Sequence, residues 1–216
     1  MADIRIGFAV TGSFCTFKAV FEQMKRLCEA GYDVTPIMSQ SAYETDTRFG
    51  RAKDWVRMAE EMTGKPVIHT IAQAEPIGPK KLLDLLILAP CTGNTLGKLA
   101  CGIYDTAPSL AVKSHRRNDR PVLIAVSTND ALAVSAGSIG MLQSRKGMFF
   151  VPYGQDDAEG KPCSCVADFE KILPGAECVC EKLGVVISDC GREIFVKKAE
   201  FLSGRLSLLP QTLNLL

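Results

Sequence analysis

Residues 82–90 read LLDLLILAP, with apolar side chains at consecutive rather than alternate positions. Successive residues of a strand point to opposite faces, so a strand apolar on both must be covered on both. That is the position of a central strand in a parallel sheet with helices packed on each side.

The flanking sequence agrees. IRIGFAV (4–10) is a short buried strand closed by Gly12. Phe17, Val20, Phe21, Met24, Leu27 and Cys28 form one stripe of an amphipathic helix over 17–31, and Gly31 stands where a C-terminal glycine stop belongs. A strand is predicted at 32–39. After the polar stretch 39–50, a helix follows near 52–63. Beyond the central strand the pattern predicts a helix after Asn94, a strand at 121–127 and a helix from about 130. A strand at 147–154 and a helix near 164–183 complete it. Alternating strands and helices with buried strands predict an α/β fold: a doubly wound, open parallel sheet, Rossmann-like, in three layers α/β/α. One domain is expected over 1–184. Residues 185–216 form an apolar tail without clear period, and packing on the domain, an oligomer contact or disorder all stay open.

Composition excludes several function classes. A net charge of +1 gives no basic face for nucleic acid. No apolar run has the length of a membrane span. The apolar core of MADIRIGFAVTG is too short for a signal sequence, so a cytoplasmic protein is expected. Nine cysteines without an export signal are expected as reduced thiols. The pairs Cys163/Cys165 and Cys178/Cys180 are spaced C-x-C, a poor match to structural zinc, and no metal is expected.

In open α/β sheets ligands bind at the carboxyl ends of the strands. Three such loops carry suitable residues, most of them small and polar: Thr11, Gly12 and Ser13; Pro90, Cys91, Thr92, Gly93, Asn94 and Thr95; and Ser127, Thr128, Asn129 and Asp130. Helix N-termini present unpaired N–H groups that favour anions, and glycine lets backbone approach a phosphate. The same residue types are the preferred helix caps, and the two roles coexist. The spacing G-x-G-x-x-G is absent after the first strand, where Gly7 and Gly12 are wrongly placed. A dinucleotide is thereby disfavoured, and a mononucleotide such as FMN fits better.

Ala89, Pro90, Thr92, Asn94, Thr95, Lys98, Ala100, Gly102, Ile103 and Asp105 fill the pattern A-P-x-[ST]-x-N-T-x-x-K-x-A-x-G-I-x-D. This stretch, with TGS after the first strand, resembles the flavoprotein family of homo-oligomeric flavin-containing cysteine decarboxylases. The resemblance implies FMN held by Thr11, Gly12, Ser13, Ser39, Pro90, Thr92, Gly93, Asn94, Thr95, Ser127, Thr128 and Asn129. It also implies a homo-oligomer and places His69 in the region of the family's catalytic histidine. From residue 6 to about 170 the match narrows to a group within the family found in spore-forming bacteria. Members of that group work with a separate A subunit, which resembles a nicotinamide-binding dehydrogenase and brings NAD(P). Together the two make pyridine-2,6-dicarboxylate from a lysine-pathway intermediate.

The family's P-x-M-N segment, which contacts the substrate carboxylate, is here STNDAL, without the methionine. That puts cysteine decarboxylation in doubt and leaves the flavin loops intact. A dicarboxylate needs cations or N–H groups, and Arg supplies bidentate geometry. Arg48, after the second strand, is the expected substrate contact. Lys80 and Lys81 read as a solvated turn, and Arg116 and Arg117 are further cations. Asp156 and Asp157 are adjacent in a loop and diverge, which disfavours a shared acid–base site. Three functions are weighed: an oxidoreductase subunit acting on a dihydro- or tetrahydropyridine dicarboxylate, a flavin-dependent decarboxylase of a cysteine-type substrate, and a non-catalytic partner subunit.

Overall fold

The computed structural model describes residues 4–181, so the expected tail at 185–216 lies outside the described residues. The strands are β1 (Arg5–Val10), β2 (Asp33–Met38), β3 (Leu85–Cys91), β4 (Val122–Thr128), β5 (Met148–Phe150), β6 (Tyr153–Gln155) and β7 (Cys165–Ala167). The helices are α1 (Phe17–Glu29), α2 (Gln40–Glu44), α3 (Ala52–Thr63), α4 (Ile71–Ala74), α5 (Gly93–Ala100), α6 (Ala107–Arg116), α7 (Val134–Gln143) and α8 (Ile172–Glu181).

The sheet runs β2-β1-β3-β4-β7-β6, with β5 also paired to β4. Strands β2, β1, β3, β4 and β5 are parallel. Alternation along each strand divides the core into two layers. Ile6, Phe8, Val10, Leu85, Ile87, Ala89, Leu123 and Ala125 face α1, α3 and α8. Ala9, Leu86, Leu88, Cys91, Val122, Ile124 and Val126 face α4, α5, α6 and α7. This is the three-layer α/β/α arrangement that the unbroken apolar run at 82–90 requires. Each buried Leu, Ile or Phe contributes roughly 1.5–3 kcal/mol of transfer free energy. Gly31 takes a left-handed conformation (φ 87°) after α1, as expected of a helix stop.

Several expectations are corrected. The sheet is not wholly parallel: β7 pairs antiparallel with Ser127 and Thr128 of β4 and with β6. Residues 147–154 are two strands rather than one, because the chain leaves β5 at Val151 and Pro152 and returns as a hairpin. The helix expected near 164–183 starts at Ile172, since Cys165–Ala167 is strand β7. The helix expected from about 130 starts at Val134. The Asp130 carbonyl accepts from the N–H groups of Ala133 and Ser135 at 2.9 and 3.1 Å, and this turn delays the helix. Helix α6 was not distinguished in the sequence, although Thr106 and Ser109 form a capping box and Pro108 sits in its first turn.

At the amino edge of the sheet Asp84 accepts from Arg5 at 2.8 and 3.0 Å and from Arg120 at 2.9 Å, joining the starts of β1, β3 and β4. Partial burial pushes the Asp84 carboxyl up, and the Arg5 hydrogen bonds outweigh this and hold it below the usual range. His115 is buried, with Nε2 2.9 Å from the Pro121 carbonyl. Burial lowers its pKa to about 4, so it stands neutral in the fold.

Candidate functional site

Strand order reverses between β1 and β3, since the chain winds from β1 outward to β2 and then returns through β3 to the other side. In open parallel sheets this switch point opens a crevice at the carboxyl ends of the strands. The three polar loops meet there.

Thr11 ties the first loop to the second. Its Oγ1 donates to the Pro90 carbonyl at 2.7 Å and accepts from the Thr92 N–H at 3.1 Å, while its own N–H reaches the same carbonyl at 3.3 Å. Thr11 is 1% exposed and Pro90 is buried. Both are expected cofactor contacts; the structure places them in the wall of the crevice, with Thr11's proton engaged on Pro90. Thr92 caps α5, accepting from the Thr95 N–H at 3.4 Å, and the two hydroxyls lie 3.2 Å apart. Capping therefore accounts for Thr92 and the buried Thr95.

The first and third loops meet above the end of β3. Ser13 Oγ lies 2.8 Å from Ser127 Oγ, although β3 separates their strands. Ser127 is buried; Ser13 is half-buried at the mouth. Gly12 lies against α2, where a Cβ would stand 3.1 Å from Ser41 Oγ. Ser39 caps α2 from the Ala42 N–H at 3.2 Å and shares a hydrogen bond with Ser41 at 3.1 Å. Asn94 and Asn129 project exposed amides from the second and third loops, and neither takes a hydrogen bond from the described residues.

The third loop also holds Asp130, the acidic residue of the STNDA stretch. Asp130 Oδ1 accepts from Thr128 Oγ1 at 2.5 Å and from Ser135 Oγ at 2.7 Å. The Thr128 hydrogen bond holds the Asp130 carboxyl below its ordinary value. Gly93, the first residue of α5, presses on this cluster: a Cβ there would lie 2.6–2.8 Å from Ser135 Oγ, Thr128 Oγ1 and Asp130 Oδ1. Glycine is required at 93 by this close approach. Thr128 is an expected cofactor contact, and in the structure its proton is engaged on the Asp130 carboxylate.

His69 and Arg48 sit on the β2 flank, outside this hydroxyl cluster. Ile68 extends the sheet beside Ile37, and the His69 ring stacks on Tyr43 with centroids 3.8 Å apart and planes 2° from parallel. No hydrogen bond joins its imidazole to the cluster among the described residues. Arg48 is exposed, its guanidinium 4.8 Å from the Phe49 ring centroid, and no carboxylate among the described residues pairs with it. Lys80 and Lys81 are exposed in a turn before β3. Arg116 and Arg117 lie at the end of α6, on the amino edge, where Arg116 binds the Arg120 and Lys146 carbonyls and Asp119. The motif residues Lys98 and Asp105 pair with each other at 2.6 Å, clasping the loop after α5.

Among the described residues, eight cysteines are free and no three His, Cys, Asp or Glu side chains gather around a point fit for a metal. No helix among them is long and apolar enough to cross a membrane.

With this geometry in view, residues 1–170 match the family model described as Flavoprotein, and the chain belongs to that family. Within it, the chain is similar to the dipicolinate synthase B subunit of Bacillus subtilis (strain 168): 45% identical over 170 residues, covering 79% of this chain and 84% of the relative. The crystal structure of the dipicolinate synthase B subunit from Bacillus halodurans C is 38% identical with a TM-score of 0.75, over 82% of this chain and 91% of that one. A Burkholderia xenovorans protein, DmrB, described in complex with FMN as a cubic protein cage, shares the fold. It has a TM-score of 0.64 at 17% identity, over 85% of this chain and 99% of that one.

Proposed function

We propose that the chain is the flavin-binding B subunit of a dipicolinate synthase. It would carry FMN at the β1–β3 switch point and take part in oxidising a dihydro- or tetrahydropyridine dicarboxylate to pyridine-2,6-dicarboxylate. The observation that carries the reading is the Ser13–Ser127 hydrogen bond at 2.8 Å. It joins the first and third polar loops, as Thr11 joins the first and second, around one crevice in a chain 45% identical to a dipicolinate synthase B subunit.

The residues fit a flavin mononucleotide. Ser13, Gly12 and Ser39 supply small polar groups on the β1 and β2 side, and Asn94 and Asn129 supply amides that serve as donor or acceptor. When bound, the flavin supplies hydride acceptance, which no amino-acid side chain offers. The chain's own residues bind and orient: the Thr11 clasp fixes the crevice wall, and the Ser13–Ser127 contact fixes the distance between the first and third loops. Arg48, an exposed cation without a carboxylate partner among the described residues, is the proposed contact for a substrate carboxylate. His69, on the same flank, is the proposed proton-transfer group. A separate A subunit that brings NAD(P), a homo-oligomeric assembly and a cytoplasmic place in a sporulating cell complete the proposal.

The test is the visible absorbance of the purified full chain after FMN is added and the protein desalted. A retained flavin band that Asn94→Ala weakens, with dicarboxylate oxidation only on mixing with an A subunit, supports the reading. Absence of any band overturns the flavin; activity on a cysteine-type substrate without the A subunit would make the chain a decarboxylase.

A further inference from the structure

A second hollow lies at the other end of the helical layer. Helix α5 starts at the crevice with Gly93 and ends at Ala100, about 11 Å away at the rise of an α-helix. There a cavity of about 220 Å³ opens between α5, α6 and the turn after α7, and Lys113, Arg116, Arg145 and Lys146 line it. No carboxylate among the described residues does.

Both arginines are anchored mainly on backbone carbonyls, which fixes them without neutralising them. Arg145 donates to the Leu99 and Ala100 carbonyls at 2.8 and 2.6 Å. Arg116 donates to the Arg120 and Lys146 carbonyls at 2.6 and 2.9 Å and to Asp119 at 3.0 Å. A guanidinium has five N–H donors, so each arginine keeps donors to spare. Lys113 is exposed, its ammonium 5.0 Å from the Tyr104 ring centroid, and pairs with no carboxylate among the described residues. Lys146 shares Asp119 with Arg116 at 3.3 Å. The C-termini of α5, α6 and α7 also meet here, each equivalent to roughly −0.5 charge. With Asp119 they offset only part of the four positive charges, in a chain whose net charge is +1.

We propose that this cavity is a second ligand site, which binds the phosphoryl group of a small phosphorylated molecule. Cations facing one small volume suit an anion whose charge is gathered on a single group. A phosphate monoester carries about −1.5 to −2 charge near neutral pH on three acceptor oxygens, and the arginine fork matches it. Leu99, Val112, Met148 and the Tyr104 ring give the cavity an apolar wall for a short carbon group. Its volume is below the roughly 300–1,000 Å³ of sites for drug-sized ligands, so a nucleotide does not fit. The cavity is separate from the crevice, and its ligand is independent of the function proposed above.

The probe is inorganic phosphate, titrated into the full chain by calorimetry with and without saturating FMN. Saturable binding that FMN leaves in place, and that weakens with rising salt, is expected. Lys113→Gln and Lys146→Gln should each weaken it about fivefold, whereas Lys113→Arg should retain it. Both lysines are exposed, so these variants keep the fold, and circular dichroism checks that they do. Failure of the wild type to bind phosphate overturns the proposal, as does unchanged affinity in both glutamine variants. Loss of phosphate binding on adding FMN would place the anion in the crevice and also overturn it. Malonate binding more tightly than phosphate would overturn the phosphoryl assignment in favour of a dicarboxylate.

Discussion

Ser13 and Ser127 stand 114 residues apart in sequence and 2.8 Å apart at their hydroxyl oxygens, meeting over the carboxyl end of β3. Ser127 is buried and Ser13 half-buried, so the bond is shielded on one side and open on the other. It is the tie between the first and third polar loops. Ser127→Ala should cost about 1 kcal/mol of stability, the net worth of one hydrogen bond. FMN retention should fall well beyond that if the first loop loses its position. Denaturant unfolding and flavin titration of the same variant check the two effects separately.

Gly93→Ala should be worse for stability than its size suggests. The added methyl would meet Ser135 Oγ, Thr128 Oγ1 and Asp130 Oδ1 at 2.6–2.8 Å, well inside contact distance. Overpacking of this kind costs typically about 1–3 kcal/mol. A lowered Tm, with partial recovery when Ser135→Ala is added, is the expected result.

Asp84→Ala tests the opposite edge. It removes a carboxylate from between Arg5 and Arg120, leaving two cations without their partner at the starts of β1 and β4. All three side chains are partly exposed, so solvent screening holds the cost to about 1–2 kcal/mol. Flavin affinity should not change, because the polar loops lie at the other end of the strands. Loss of both would mean that the two edges are coupled.

Acid sensitivity should trace to His115. Its folded pKa is about 4, below the ordinary 6.5, so the unfolded chain takes up a proton before the folded one does. The neutral, buried imidazole therefore contributes fully above pH 6.5, and that contribution is lost as pH falls toward about 4. Roughly 3 kcal/mol is at stake across that window. Unfolding free energies measured between these limits should show the slope, and His115→Gln should flatten it.

The sheet was legible because a strand covered on both faces shows as an unbroken apolar run, and Leu85–Cys91 is that strand. Helix α1 was legible for a similar reason: its stripe and Gly31 are local signals. The β6–β7 hairpin was not, since each strand has three residues and takes its conformation from pairing with the end of β4. The loops that gather at the site were legible as polar clusters at strand ends. Which hydroxyls face a ligand was not, because that depends on partners distant in sequence. Thr11 and Ser13 are two residues apart, yet one is sealed against Pro90 and the other stands at the mouth. His69 carried a suitable side chain, but stacking on Tyr43 is a tertiary fact that no local pattern announces.

Strand β4 changes neighbours along its length. Val122, Leu123 and Ile124 pair with β5, whereas Ser127 and Thr128 pair with β7. The two residues that begin the third polar loop are therefore suspended from the hairpin and not from the parallel sheet behind them. Leu132 N–H donates to the Cys163 carbonyl at 3.0 Å, adding a second attachment to the same excursion. A protein seated along the outer strand β6 would be linked to Ser127 through two ladders, β6–β7 and β7–β4.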